Sequence, residues 1–281
     1  MVLKRENDVP TDRFTVQYLL TKPLFNEEPW GIRVLRDGAL VFFGIVDEHE
    51  TVQEAGVYRE SFVCRSIAAL LMDSEAKPGT LQMPSLRLMY KLYLEPFGLS
   101  VRGAVQVPQR GQFTVERGET CWDVLCGFSE TFLKCTPYCE RDGTVCFEER
   151  THGVLPLFDV TKSAIIRRPK EKISRVVVQN SVSGAYSTVF DRLDEPISRV
   201  RYLSAQANVT PEQLFLQADQ SALQVKLVCR GYIDAVPGDR TEWFIPGVGV
   251  KPMELHALCF SGKAGVYETE LILEEVKHGL E

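Results

Sequence analysis

The stretch WGIRVLRDGALVFFGIVDE, residues 30–48, decides how this chain is read. Two apolar runs flank Asp37-Gly38, and Asp-Gly in that setting supplies the two left-handed residues of a tight hairpin turn. Paired strands are therefore expected on either side of it. Gly44, inside the second strand, is expected to mark a bulge or sharp bend, the device by which small sheets turn their corners. On an open edge the run LVFFGIV would invite pairing with other chains, so either the fold closes on itself or a partner completes the sheet.

On both sides of this hairpin the β pattern continues, with FTVQYLL (14–20) before it and VYRESFVC (57–64) after Gly56. At Ser66 the period changes. Ser66 can cap the helix IAALLMD, in which Ile67, Leu70 and Leu71 share a face, and a second helix carries Leu86, Met89, Tyr90, Tyr93 and Leu94 before Pro96-Phe97-Gly98 stops it. The segment FTVERGETCWDVLCGFSETFLKCTPYCERDGTVCFEE (113–149) reads strand, turn at Gly118, helix, turn at Asp142-Gly143, strand. Thr120 and Asp123 have capping-box spacing, and Cys121, Leu125, Phe128 and Phe132 line one helix face. Strands return from Ile173: ISRVVVQNSV, a Ser183-Gly184 turn, AYSTVFDR, LQVKLVCRGYI, ELHALCFS and VYETELILEEV, with a short helix opened by Thr210 and Pro211.

A duplication is visible in outline. GVYRESFVCR begins at Gly56 and GVYETELILE at Gly265, each following an apolar strand and a turn. The fold class expected is α+β and β-rich. Residues 1–66 are read as a first β-barrel domain, 67–103 as a helical connector, 104–150 as a small strand-helix-strand module, and 151–281 as a second β-barrel domain.

Composition narrows the function classes. With 32 basic and 38 acidic residues the net charge is −6, which argues against a broad nucleic-acid footprint. The one basic stretch, IIRRPKEK (165–172), reads as a solvated loop, or else as a patch that contacts phosphate or docks a protein. No window approaches the ~18 consecutive apolar residues of a membrane helix, and the N-terminus lacks the apolar core of a signal peptide. Cytoplasmic synthesis is expected.

Of the eight cysteines, Cys121, Cys126, Cys135, Cys139 and Cys146 lie in one segment. Only Cys135 and Cys139 have a spacing that suits zinc, with His152 the nearest imidazole, so reduced and mostly buried thiols are the expectation and no metal or cofactor is assigned. Catalytic motifs are missing too: G-x-S-x-G, H-E-x-x-H and the P-loop pattern do not occur, and His256, alternating with apolar neighbours in ELHALCF, reads as a strand histidine. No enzymatic activity is expected.

Two resemblances follow from the quoted segments. FTVERGETCWDVLCGF is similar in its opening to LysM-type sequences, which implies as the alternative function a cell-wall glycan-binding protein with Trp122 at the contact. The ordered series WGIRVLRDGALVFFGIVDE, FVCRSIAALLMDSEA, LYLEPFGLSV, the 113–149 segment, IPGVGV and GVYETELILEEV spans nearly the whole chain. It resembles the tail hub of contractile-tailed bacteriophages, the Mu-like baseplate hub and late-control protein D family. That resemblance implies a structural virion component made in the bacterial cytoplasm, with no membrane and no sequence-specific nucleic acid as partner. Three chains with two similar β-barrels each would form a homotrimeric ring that adapts a six-fold tail tube, or its tube-initiator protein, to a three-fold spike, and the chain alone can stay monomeric until a partner nucleates the ring. Phe42, Phe43, Gly44, Val46, Tyr267, Leu271 and Leu273 are the residues expected at barrel closure or at the subunit interface. Covering Phe42 and Phe43 contributes roughly 1.5–3 kcal/mol per ring.

Overall fold

The computed structural model describes residues 1–7, 9–22, 28–103, 110–157, 159–192, 197–205, 207 and 209–276. Two units divide the chain: Met1–Thr151 with Cys259–Gly265, and His152–Leu258 with Val266–Glu281. Each is built on a large antiparallel sheet with few helices, an α+β, β-rich architecture.

Unit 1 begins with β1 (Val2–Glu6), β2 (Arg13–Leu20), β3 (Gly31–Arg36), β4 (Ala39–Glu54) and β5 (Val57–Ser66). They lie in the order β1-β2-β5-β4-β3. Asp37 and Gly38 have φ of 50° and 82°, so the turn joining β3 to β4 is of the left-handed kind that matches strand twist. Because β4 is held between β3 and β5, the LVFFGIV run is an interior strand. Alternation then sends Phe42 into the core, 5.2 Å from the ring of Phe14.

The expected bend falls beside Gly44 and not on it. Register shifts occur between Val34 and Leu35 and between Val46 and Glu48, while Gly44 pairs regularly with Ile32 and Ser66. Gly44 is needed for another reason: a Cβ there would sit 2.0 Å from the carbonyl oxygen of Arg65. Strands β4 and β5 approach closely at this point, and no side chain fits between them.

After β5 come α1 (Ala69–Asp73), β6 (Gly79–Gln82), α2 (Leu86–Met89), β7 (Val101–Arg102), β8 (Gln112–Val115), α3 (Cys121–Phe128), β9 (Tyr138–Cys139) and β10 (Val145–Cys146). Ser66 does not cap α1. It ends β5, and its hydroxyl accepts the backbone N–H of Asp12. The Thr120–Asp123 capping box of α3 forms as its spacing predicts, with reciprocal bonds of 3.1 and 2.9 Å. Leu71, Met89, Leu94, Val124, Leu125, Phe128 and Val145 pack into one core, so residues from 67–103 and from 113–149 share their hydrophobic contacts. The two strands flanking α3 pair elsewhere: β8 with β6, and β10 with β7 and β9.

Unit 2 contains β11 (Val160–Arg167), β12 (Arg175–Gln179), β13 (Tyr186–Asp191), β14 (Val200–Leu203), α4 (Pro211–Ser221), β15 (Leu223–Arg230), β16 (Arg240–Ile245), β17 (Gly249–Lys263) as far as Leu258, and β18 (Val266–Glu275). Its main sheet runs β11-β15-β18-β17, with β16 on the far side of β17. The strands of 173–190 do not join this sheet, contrary to expectation. Strands β12, β13 and β14 form a separate three-stranded sheet, whose Val176 and Leu203 pack with Ile173 and with Phe215 and Ala218 of α4 in a small core of their own. Nor is the basic stretch at 165–172 a plain loop: Ile165–Arg167 finish β11, and Pro169–Glu171 make a 3-10 turn.

The two main sheets share one topology. Written in chain order, the five strands of unit 1 lie 3-4-5-2-1, and β16, β17, β18, β15 and β11 lie in the same arrangement, antiparallel throughout. Ala55-Gly56, with φ of 49° and 80°, closes the long hairpin of β4 and β5, and Ala264-Gly265, with 51° and 81°, closes that of β17 and β18. Counted from these turns, Glu60, Phe62 and Cys64 of β5 correspond to Thr269, Leu271 and Leu273 of β18, and all six are buried. Among the described residues no strand pairing closes either sheet on itself.

Candidate assembly surfaces

The seven residues singled out from the sequence divide between the units. In unit 1, Phe42 is core, and Phe43 leans on the helical core with the Arg33 guanidinium 4.8 Å from its ring centroid. Gly44 is covered by β5. Val46 lines a mainly apolar cavity of about 280 Å³ with Tyr18, Leu20, Ile32 and Phe62, residues drawn from four strands, so the sheet is curled. In unit 2, Leu271 and Leu273 are fully buried and Tyr267 is about half exposed. Burial gives Phe42, Leu271 and Leu273 the role of holding the sheets together.

Beyond Tyr267, several exposed apolar side chains lie on the edge hairpins. Trp30, 75% exposed, precedes the edge strand β3 and Leu35 lies within it, and Phe244, 63% exposed, faces Val250 across the β16–β17 pair. These hairpins hold the same place in the repeated topology. Composition could not have found them, because exposure of a large side chain at a strand edge leaves no mark on hydrophobic periodicity.

Polar groups pin the sheet of unit 1. Arg65 reaches both carboxylates around it, Asp47 at 2.7 and 2.9 Å and Asp73 at 2.7 and 2.9 Å, tying the β4 bulge and α1 to β5. Hydrogen bonding to Arg65 holds the Asp73 carboxyl below the usual range. Glu60 is completely buried and accepts Thr51 Oγ1 at 2.8 Å, with His49 Nε2 at 2.6 Å. Its counterpart Thr269 meets the same need with a neutral group, donating to the carbonyl of Gly231 and accepting from the N–H of Ile233.

Burial raises the Cys64 thiol to about 11 and the Cys126 thiol to about 12, and pushes Cys121, Cys139, Cys146 and Cys229 upward as well. Among the described residues no group of three or more His, Cys, Asp or Glu is placed to hold a metal ion, and no helix is long and apolar enough to cross a membrane. Trp122 packs against the helical core.

No protein-family model matches the sequence, and no curated protein does. Solved structures do match it. The tail protein from Neisseria meningitidis MC58 superposes with a TM-score of 0.74 at 19% identity, covering 98% of this chain and 91% of that one. The 43 kDa tail protein of prophage MuSo2 from Shewanella oneidensis does so with a TM-score of 0.77 at 13% identity, covering 97% and 92%. This chain has a tail-protein fold. The same fold extends to the E. coli c3393 protein, a type VI secretion component described as structurally similar to the T4 bacteriophage tail proteins gp27 and gp5. That match has a TM-score of 0.58 at 12% identity, covering 99% of this chain and 73% of that one.

Proposed function

We propose that this protein is a structural tail or baseplate hub of a phage or phage-derived contractile particle, of the kind represented by late-control protein D. Three copies form a ring in which two similar β-rich units per chain present six near-equivalent positions to a six-fold tail tube above and three identical chains to a trimeric spike below. The observation that carries this reading is the repeated five-strand order, because a symmetry adapter requires geometric equivalence within one polypeptide. Likeness to tail proteins and to a type VI secretion component supports the same reading. In the assembled ring the curled sheets act as barrels, closed within the chain or completed by neighbours. The role is mechanical and requires no reaction.

Light scattering of the purified protein, alone and with the tube and spike proteins of the same particle, tests the proposal. Trimers that co-elute with the spike are expected. A chain that stays monomeric at high concentration and binds neither protein overturns it.

A further inference from the structure

The repeat is not completed in the same way at both ends. In unit 1 the edge of β1 is covered by the segment Cys259–Gly265: Met1 donates to the carbonyl of Gly262 at 2.9 Å, and Gly262 donates to the carbonyl of Met1 at 2.9 Å. Two residues that exchange both bonds are a hydrogen-bonded antiparallel pair. The covering segment is the far end of the long hairpin strand β17, past the reach of its edge partner β16. In unit 2 the strand equivalent to β1 is β11, and among the described residues nothing pairs with its outer edge. The segment equivalent to the covering one is the far end of β4, past Val46, where β3 no longer reaches and the outer edge likewise carries no strand among the described residues.

We infer that the far end of β4 in one copy pairs antiparallel with β11 of a second copy, repeating between chains the contact that unit 1 makes at β1. The register follows by counting. Gly262 stands two residues before the Ala264-Gly265 turn, as Gln53 does before Ala55-Gly56. Leu3 pairs with Phe14 and Phe14 with Cys64, while Ile165 pairs with Val225 and Val225 with Leu273, the counterpart of Cys64. Ser163 therefore stands where Met1 does, and Gln53 of one copy exchanges backbone hydrogen bonds with Ser163 of the next.

Charge supports the match. In this register Glu54 faces Lys162 and Glu48 faces Arg168, two opposite-charge pairs on one face of the joined strands. An edge strand bearing unpaired backbone groups is a template for such addition. The contact is heterologous, joining different surfaces of the two copies, so it builds a ring when the rotation closes. This inference rests on the hub reading for the closure at three.

Cysteine cross-linking tests it. A Gln53→Cys chain is mixed with a Ser163→Cys chain and treated with diamide as thiol oxidant, then run on a non-reducing gel. A hydrogen-bonded antiparallel pair brings its Cα atoms to about 5.5 Å, within disulfide reach. Covalent dimer is expected from the mixture and from neither variant alone, and the double variant is expected to give a ladder ending at trimer. Lys162→Cys in place of Ser163→Cys points to the opposite face of the strand and is expected to abolish the product. Absence of dimer from the mixture, or equal yield with Lys162→Cys, overturns the strand pairing. If the native protein is trimeric by light scattering and the cross-link is absent, the pairing falls and the hub reading stands; if the native protein never associates and the cross-link is absent, both fall.

Discussion

At the scale of single residues, Gly44 has the narrowest tolerance on the molecule. Gly44→Ala would drive a methyl into the Arg65 carbonyl and the Phe42 ring, and overpacking of this kind costs about 1–3 kcal/mol. Urea unfolding is expected to show the lowered midpoint, with a smaller loss for Gly38→Ala, whose Cβ would meet open space and whose penalty is conformational. The sequence marked Gly44 as special but not why, since a close approach of β5 depends on a carbonyl twenty-one residues away. The thiols follow from burial. At pH 8 native Cys64 and Cys126 are expected to resist iodoacetamide and to react once urea unfolds the chain, because their thiolates are suppressed. A group whose folded pKa is raised contributes its stability below the unfolded value and loses it as pH climbs. Alkali above the ordinary thiol value of 9.0 is therefore expected to weaken the fold progressively toward pH 11.

At the scale of elements, two devices hold the helical layer of unit 1. Thr120→Ala removes the hydroxyl that caps α3 and is expected to cost about 1 kcal/mol, read as a shift in the thermal midpoint. The Arg65 clasp works through a lowered carboxyl: Asp73 contributes above its unfolded pKa, near 3.9, and that contribution disappears as pH falls through the lower folded value. Because Asp73 is partly solvated the effect is modest, under about 1 kcal/mol, and salt should reduce it. Asp73→Asn is expected to flatten the acid limb of a stability–pH curve below about pH 4.

Legibility differed among the elements for a physical reason. Hairpins with left-handed turns and the α3 capping box are encoded within a few adjacent residues, and the Asp-Gly turn and the Thr120–Asp123 spacing were both readable. Strands β1, β11 and β16 were missed. VLKRE and VTKSAIIR mix charge with apolar residues because strands near a sheet margin have one wet side, so their pairing is dictated by partners far along the chain. Ser66 misled for the same reason: its hydroxyl serves Asp12, which sequence proximity could not reveal.

For the whole molecule, the decisive property is the repeat, and only a fragment of it showed in the sequence. The shared Gly-Val-Tyr hinted at two related hairpins, whereas the common strand order emerged only from pairings, with the separate β12–β14 sheet and α4 inserted between β11 and β15. Equivalence without sequence identity is physically cheap, since burial alternation and turn handedness alone specify such a sheet: Glu60 and Thr269 occupy the same buried position with different chemistry. The most direct measurement is electron microscopy of the protein assembled on its spike, viewed down the axis. Three chains of 31.7 kDa are expected to give a ring with six nearly alike lobes at 60° intervals. A particle with a number of chains other than three, or three chains whose alternate lobes have unrelated sheet topologies, would contradict the account.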